Sequence, residues 1–329
     1  MIRLALVFLS SLTLTLVIMP LTIKTMKRLK CGQTVLHYVE DHKGKSGTPT
    51  MGGIAFVIST SVVCLFFSGG NSWHLNMCVA VFVAFAVLGF LDDFIKVRYK
   101  QNKGLSPLQK IAFQVIVAVI VSLFAYFSAL SSDKLILPFG FKTIRIGVLA
   151  IPLYIFVFLA LGNAVNLIDG LDGLAAKVTT TYSVAFIILL LLVVSAGVFV
   201  GFESEVVNVV MFCVAITGSL IAFSCYNSFP ARIFMGDTGA LALGGGLATV
   251  AITTNTALFV IVIGIAYVIT CLSVIIQVVY FKLTRKRVFI MTPIHHHFEK
   301  RGVHENVIVS RYVALTAIAG AISIISFLL

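Results

Sequence analysis

The chain has 329 residues, 60% of them hydrophobic and 11% charged, where soluble domains average about 45–50% and about 25%. An ordinary soluble globular protein is excluded. Twenty-four Lys and Arg against 12 Asp and Glu give a net charge of +12. In a soluble chain that excess would point to nucleic acid, but here it must first be placed relative to a membrane.

Spanning ~30 Å of hydrocarbon takes about 20 apolar residues in a helix. Ten such runs follow one another, roughly Leu4–Ile23, Met51–Phe67, Met77–Phe94, Ile111–Leu130, Gly147–Ile168, Val178–Val200, Val206–Tyr226, Gly239–Thr254, Ala257–Phe281 and Val307–Leu329. The chain is expected to be an all-α integral membrane protein of about ten transmembrane helices, one polytopic domain over 1–329. The first run exceeds the core of a signal peptide, about 7–15 residues, and no small-x-small cleavage signal follows it, so it is expected to be retained. The turn Thr253-Thr254-Asn255-Thr256 is the least defined boundary. The six cysteines form no C-x-x-C pair, and all but Cys31 lie inside apolar runs, so neither a disulfide framework nor a thiolate metal site is expected.

Alternate loops differ in charge. The stretches 24–50, 92–110, 166–177, 226–238 and 282–306 hold nearly all the Lys and Arg, against Arg3, Lys134, Lys142 and Arg145 in the others. Basic residues are retained on the cytoplasmic side, which places these five loops inside and both termini outside. The positive charge is then topology plus attraction to membrane lipids of anionic headgroup, with no nucleic-acid partner.

The cytoplasmic loops also carry the unusual chemistry. Lys45-Ser-Gly-Thr-Pro-Thr50-Met-Gly-Gly enters the second run and resembles an anion-binding turn. Five aspartates lie at cytoplasmic ends of runs: Asp92, Asp93, Asp169, Asp172 and Asp237. One alone is usually a solvated helix end, but five on one face, from three loops, mark a functional site. Adjacent Asp92 and Asp93 repel each other, and Lys96 is within helical reach of both, so a salt bridge, a divalent cation or a shared proton are the open readings. In Asn163-x-x-Asn166-x-x-Asp169-Gly-Leu-Asp172-Gly, polar groups recur every three positions and suit a hard cation, a ribose or a base. Phe234-Met-Gly236-Asp237-Thr-Gly offers close backbone approach and a ring to stack on a base, although the same pattern is often a plain turn. In Pro293-Ile-His295-His296-His297, three consecutive histidines cannot face one metal from a regular helix. Phosphate binding, proton transfer or a surface tract remain. Together these groups describe phosphoryl-transfer equipment at a membrane face.

The order Asp92-Asp93-x-x-Lys96, Asn163-Ala-Val-Asn166-Leu-x-Asp169-Gly-Leu-Asp172-Gly-Leu-Ala, Phe234-Met-Gly-Asp237-Thr-Gly and Pro293-Ile-His-His-His resembles the phospho-N-acetylmuramoyl-pentapeptide transferases from Gly32 to about Arg311. The resemblance implies a bacterial cytoplasmic-membrane enzyme, usually a homodimer. Such an enzyme moves phospho-MurNAc-pentapeptide from UDP-MurNAc-pentapeptide to undecaprenyl phosphate with Mg²⁺. By motif it implies catalytic Asp92, Asp93, Asp237 and His295, with Asp237 on the metal. It also implies substrate contacts from Lys45, Thr50, Lys96, Lys110, Asn166, Asp169, Leu171, Asp172, Asn227, Phe234, Gly236, His296 and His297. GlcNAc-1-phosphate transferases of the same superfamily are the near alternative, and a membrane transporter the alternative from another class. The Lys45–Gly53 and histidine segments resemble the muramoyl-peptide branch.

Overall fold

The structure is a computed structural model and describes residues 1–29, 47–68, 72–99, 104–140 and 142–328. Each of the ten apolar runs is helical: α1 (Ile2–Arg28), α2 (Gly53–Ser68), α3 (Trp73–Arg98), α4 (Pro107–Phe127), α5 (Ala150–Ile168), α6 (Leu174–Ser195), α7 (Glu203–Asn227), α8 (Gly236–Thr253), the pair α9 (Phe259–Ile263) and α10 (Ile265–Thr284), and, after a short α11 (Ile294–Lys300), α12 (Glu305–Leu328). Among the described residues, eight helices are long and apolar enough to cross a membrane. The other two runs fall short for different reasons: α2 has 16 residues, and α8 is diluted by glycine.

Two features depart from the expected all-helical pattern. The ninth run is broken at Gly264, whose backbone leaves the helical region (φ −85°, ψ 23°). There α9 packs on α6 and α12, whereas α10 meets α5, α11 and α12 and exposes Leu272, Ile275, Ile276, Val279 and Leu283. Such an apolar face suits hydrocarbon. A two-stranded antiparallel hairpin, β1 (Lys134–Ile136) and β2 (Thr143–Arg145), also joins α4 to α5, in register Lys134↔Arg145 and Ile136↔Thr143.

Helix α8 is the axis of the molecule. Every residue from Thr238 to Thr253 is buried, against α2, α3, α4 and α5. In a membrane, helices associate through close backbone approach rather than hydrophobic drive, and small residues permit it. A Cβ on Gly244 would come within 2.7 Å of the Gly162 Cα in α5. At one end of α8, Asn255 turns the chain with φ 59°. Its amide donates to the Leu130 carbonyl at 3.2 Å, while its own carbonyl accepts from the Ile136 N–H at 2.9 Å. The hairpin is thereby sewn to the turn that the sequence left least defined. At this same end Glu205 Oε2 accepts from Ser72 at 2.8 Å and meets His74 Nδ1 at 3.0 Å, and His74 Nε2 meets Ser128 at 2.8 Å, tying α3, α4 and α7.

At the opposite end α3 crosses α8 so closely that a Cβ on Gly89 would overlap the Asp237 carbonyl. Overpacking of this kind costs about 1–3 kcal/mol. Gly89→Ala is expected to lower the thermal unfolding midpoint of the detergent-purified protein, and an unchanged midpoint would contradict this packing.

Candidate active site

Beyond that crossing, the ends of α3, α5 and α7 and the starts of α4, α6, α8 and α12 converge, and the charged residues flagged in the sequence meet there. Asp92 is 0% exposed and Asp93 is 4% exposed. Burial of a lone carboxylate is prohibitive, so each must be compensated. Lys96, one turn after Asp92, reaches its Oδ2 at 2.6 Å, and Lys110 from α4 reaches the same oxygen at 3.0 Å. Both ammonium groups also hold Asp237 Oδ2, at 3.1 and 2.8 Å. Asn166 from α5 donates to Asp237 Oδ1 at 3.1 Å. Asp92 Oδ1 accepts from the Leu105 N–H at 2.7 Å.

Asp93 is satisfied by α8 instead of by a cation. Its oxygens accept from the backbone N–H of Asp237 (3.3 Å) and Thr238 (3.0 Å) and from the Thr238 hydroxyl (2.7 Å). A carboxylate on the free N–H groups of a helix start is favoured by both hydrogen bonding and the macrodipole. Gly236, with φ 75°, makes the turn. A Cβ there would press on Asp93 and on Thr50 Oγ1, at 2.5 and 2.8 Å. Thr50 is brought in by three backbone bonds between the entry to α2 and the approach to α8: Phe234 N–H to the Pro49 carbonyl at 2.8 Å, Gly52 N–H to Phe234 at 2.9 Å and Gly53 N–H to Met235 at 3.0 Å. Lys45 lies outside the described residues.

The turn between α5 and α6 forms the flank. Asp169 follows the last residue of α5, and Gly173 (φ 75°) opens α6. Burial, then the negative charges of Asp237, Asp93 and Asp172, push the Asp169 carboxyl up to about 8. Asp172 is buried, and its Oδ2 accepts from the Ala231 N–H at 2.9 Å. Leu171 is buried and Phe234 half-buried. Asn227 is buried too, and its amide donates to the Ile233 carbonyl at 2.9 Å, bracing the 228–235 loop.

The three histidines of α11 go three ways. His295 is 0% exposed, neither ring nitrogen has a hydrogen-bond partner among the described residues, and its ring lies over Gly170, where a Cβ would collide with it. Burial first, then His296, push its pKa down to about 3, against Glu299, so it is a neutral imidazole at physiological pH. His296 Nδ1 pairs with Glu299 at 2.8 Å. His297 Nδ1 accepts from the Ile290 N–H at 3.1 Å, and its ring packs on Phe289 and Phe298.

One oxygen from each of Asp92, Asp93 and Asp237 lies within 4.8 Å of the others. These are hard oxygen donors, and one or two carboxylates beside phosphates is how Mg²⁺ is usually held. The donor set therefore fits a divalent cation, with Lys96 and Lys110 supplying the positive charge in the structure. Thr238 escaped the sequence reading: it follows Asp237 in the motif, and an exposed hydroxyl and a capping one look alike in sequence.

The chain matches the family described as Glycosyl transferase family 4 over residues 75–255 and Phospho-N-acetylmuramoyl-pentapeptide-transferase signature 1 over residues 45–57. It is similar to the phospho-N-acetylmuramoyl-pentapeptide-transferase of Clostridium novyi, 41% identical over 94% of this chain and 92% of that one. That of Clostridioides difficile is 40% identical over 95% and 94%, and that of Clostridium acetobutylicum 41% over 94% and 94%.

A carboxyl at about 8 when folded and 3.8 in its ordinary state keeps a proton in the fold that the unfolded chain has lost. The Asp169 contribution to stability therefore falls as pH rises from about 4 to about 8, while His295, its pKa pushed down from 6.5, contributes the opposite slope below about 6.5. Melting curves taken in chelator are expected to decline between about pH 6.5 and about pH 8, where His295 no longer opposes Asp169, and Asp169→Asn is expected to remove that decline; an identical slope in the variant would refute the assignment.

Proposed function

The chain belongs to the phospho-N-acetylmuramoyl-pentapeptide-transferase family, and from that premise we propose that its chemistry runs at the Asp92–Asp93–Asp237 cluster and depends on Mg²⁺. The protein is a multi-pass membrane transferase that moves phospho-MurNAc-pentapeptide from UDP-MurNAc-pentapeptide to undecaprenyl phosphate, forming lipid I and UMP. The observation that carries the site is the meeting of three carboxylates and two lysines from three helices.

Asp237, with Asp92 and Asp93, would hold Mg²⁺, which supplies positive charge to the donor diphosphate. Lys96 and Lys110 already face Asp92 and Asp237, so they are placed to offset charge when two anionic substrates approach. A phosphate monoester with second pKa near ~6 is mostly dianionic at neutral pH and needs no strong base. Its oxygen attacks the sugar-bearing phosphorus directly, and the phosphoanhydride opens toward UMP. The aspartates organise charge rather than take a covalent part. The uridine would lie between Phe234 and the Asp169–Asp172 turn, with Lys45, Thr50, Asn166, Leu171, Asn227 and Gly236 around it. His295, with His296 and His297 on the same short helix, would meet the sugar-phosphate side; as a neutral imidazole, His295 offers a hydrogen bond rather than a charge.

The finer topology follows the charge asymmetry: ten crossings, both termini outside, and the cluster on the cytoplasmic face; a bacterial cell membrane and a homodimer are what membership of the family implies.

Release of UMP by the purified protein is expected to require UDP-MurNAc-pentapeptide, undecaprenyl phosphate and Mg²⁺ together. UDP-GlcNAc as donor is expected to give none, and turnover with it would move the chain to the sister branch. Asp237→Asn is expected to fold yet lose roughly 10²–10³ in kcat, the scale of a lost electrostatic group; near-normal turnover would refute the metal assignment.

A further inference from the structure

The Asp169–Asp172 turn has an N–H that its own backbone leaves over. Asp169, Gly170 and Leu174 bond within the turn, to the carbonyls of Asn166, Ile168 and Leu171. The Asp172 N–H instead donates at 3.3 Å to Oε2 of Glu305, the first residue of α12. Glu305 is distant in sequence and only 9% exposed. A buried backbone N–H must find an acceptor, and an ionised one is a strong choice.

We propose that Glu305 is a positioning residue for the nucleotide end of the donor, acting by holding the Asp169–Asp172 turn in register with the 228–235 loop. The inference rests on the functional reading above. Three observations support it. The turn is fixed from both sides, since Asp172 is held at its N–H by Glu305 and at its carboxylate by the Ala231 N–H. That loop also carries Phe234, whose N–H bonds the Pro49 carbonyl, so the turn is braced against the segment proposed to hold the uridine. The same α11–α12 segment also covers the turn at Gly170, against which the His295 and His296 rings are packed. Sign settles on which side Glu305 works. A further carboxylate facing an anionic donor would repel it, so Glu305 serves from behind the turn, touching its backbone and not the substrate. A negative group in the first turn also favours α12 through the helix dipole. That effect needs the charge, whereas holding the Asp172 N–H needs only an acceptor oxygen.

This difference defines the test. The full chain in detergent is compared with Glu305→Gln, which keeps an acceptor oxygen without charge, and Glu305→Met, which keeps the volume without an acceptor. KM for UDP-MurNAc-pentapeptide, KM for undecaprenyl phosphate, kcat, the affinity for UMP alone and the melting midpoint are measured for all three. For Glu305→Met, donor KM and UMP dissociation constant are expected to rise about tenfold, equivalent to about 1.4 kcal/mol, with acceptor KM unchanged within about twofold. Glu305→Gln is expected to stay within about threefold of the parent. The inference is overturned if Glu305→Met leaves donor KM and UMP affinity unchanged, if both KM values rise together, if Glu305→Gln is as impaired as Glu305→Met, or if Glu305→Met yields no folded protein. A parent protein that binds UMP but releases none from the muramoyl donor would instead overturn the functional reading, and the UMP affinities would still decide the role of Glu305.

Discussion

Three carboxylates gathered within 4.8 Å of one another at the end of an apolar helical bundle set the terms for the rest of the structure. Mutual repulsion and loss of water would expel them unless each oxygen found a positive or donating partner. The molecule supplies three kinds. Lys96 and Lys110 bridge Asp92 and Asp237, the start of α8 serves Asp93, and an amide from α5 completes Asp237. These partners come from four different helices, so the cluster exists only when the bundle is assembled. A divalent ion held there would meet carboxylates already paired with cations, so the site is a charged one before any ion enters.

This arrangement also explains the chemical character of the central helix. A helix that must bring Asp237 against α3 while burying its whole circumference has no room for large side chains at the crossings. Its glycines, with Asp237 and the threonines, lower its apolarity to the point where composition alone no longer marks it as a crossing helix. The α3 partner obeys the same constraint at Gly89.

Much of this was legible in the sequence because spans and charge asymmetry are one-dimensional signals. The ten apolar runs are all helical, and Asp92, Asp93, Lys96, Lys110, Asn166 and Asp237 do converge. What the sequence hid depends on direction in space. The break at Gly264 lies in a run as apolar as its neighbours, and a glycine there reads equally as a tolerated helical residue. The hairpin at Lys134–Arg145 is too short to show an alternating pattern. Asp93 and Asp92 are adjacent and look equivalent, yet one is served by lysines and the other by a helix start. His295 and His297 likewise differ only in which way α11 turns them.

The run of α8 from Gly236 to Thr253 has a mechanical meaning. At one end its backbone is clamped by Asp93; at the other, the Asn255 turn is stitched to the β-hairpin. Between them lie 18 helical residues, about 27 Å at 1.5 Å per residue, gripped by buried neighbours along the whole length. A shaft held this way cannot slide or rotate at one end alone. The hairpin and Asp237 therefore belong to opposite ends of one continuous buried helix, which joins the two ends of the bundle.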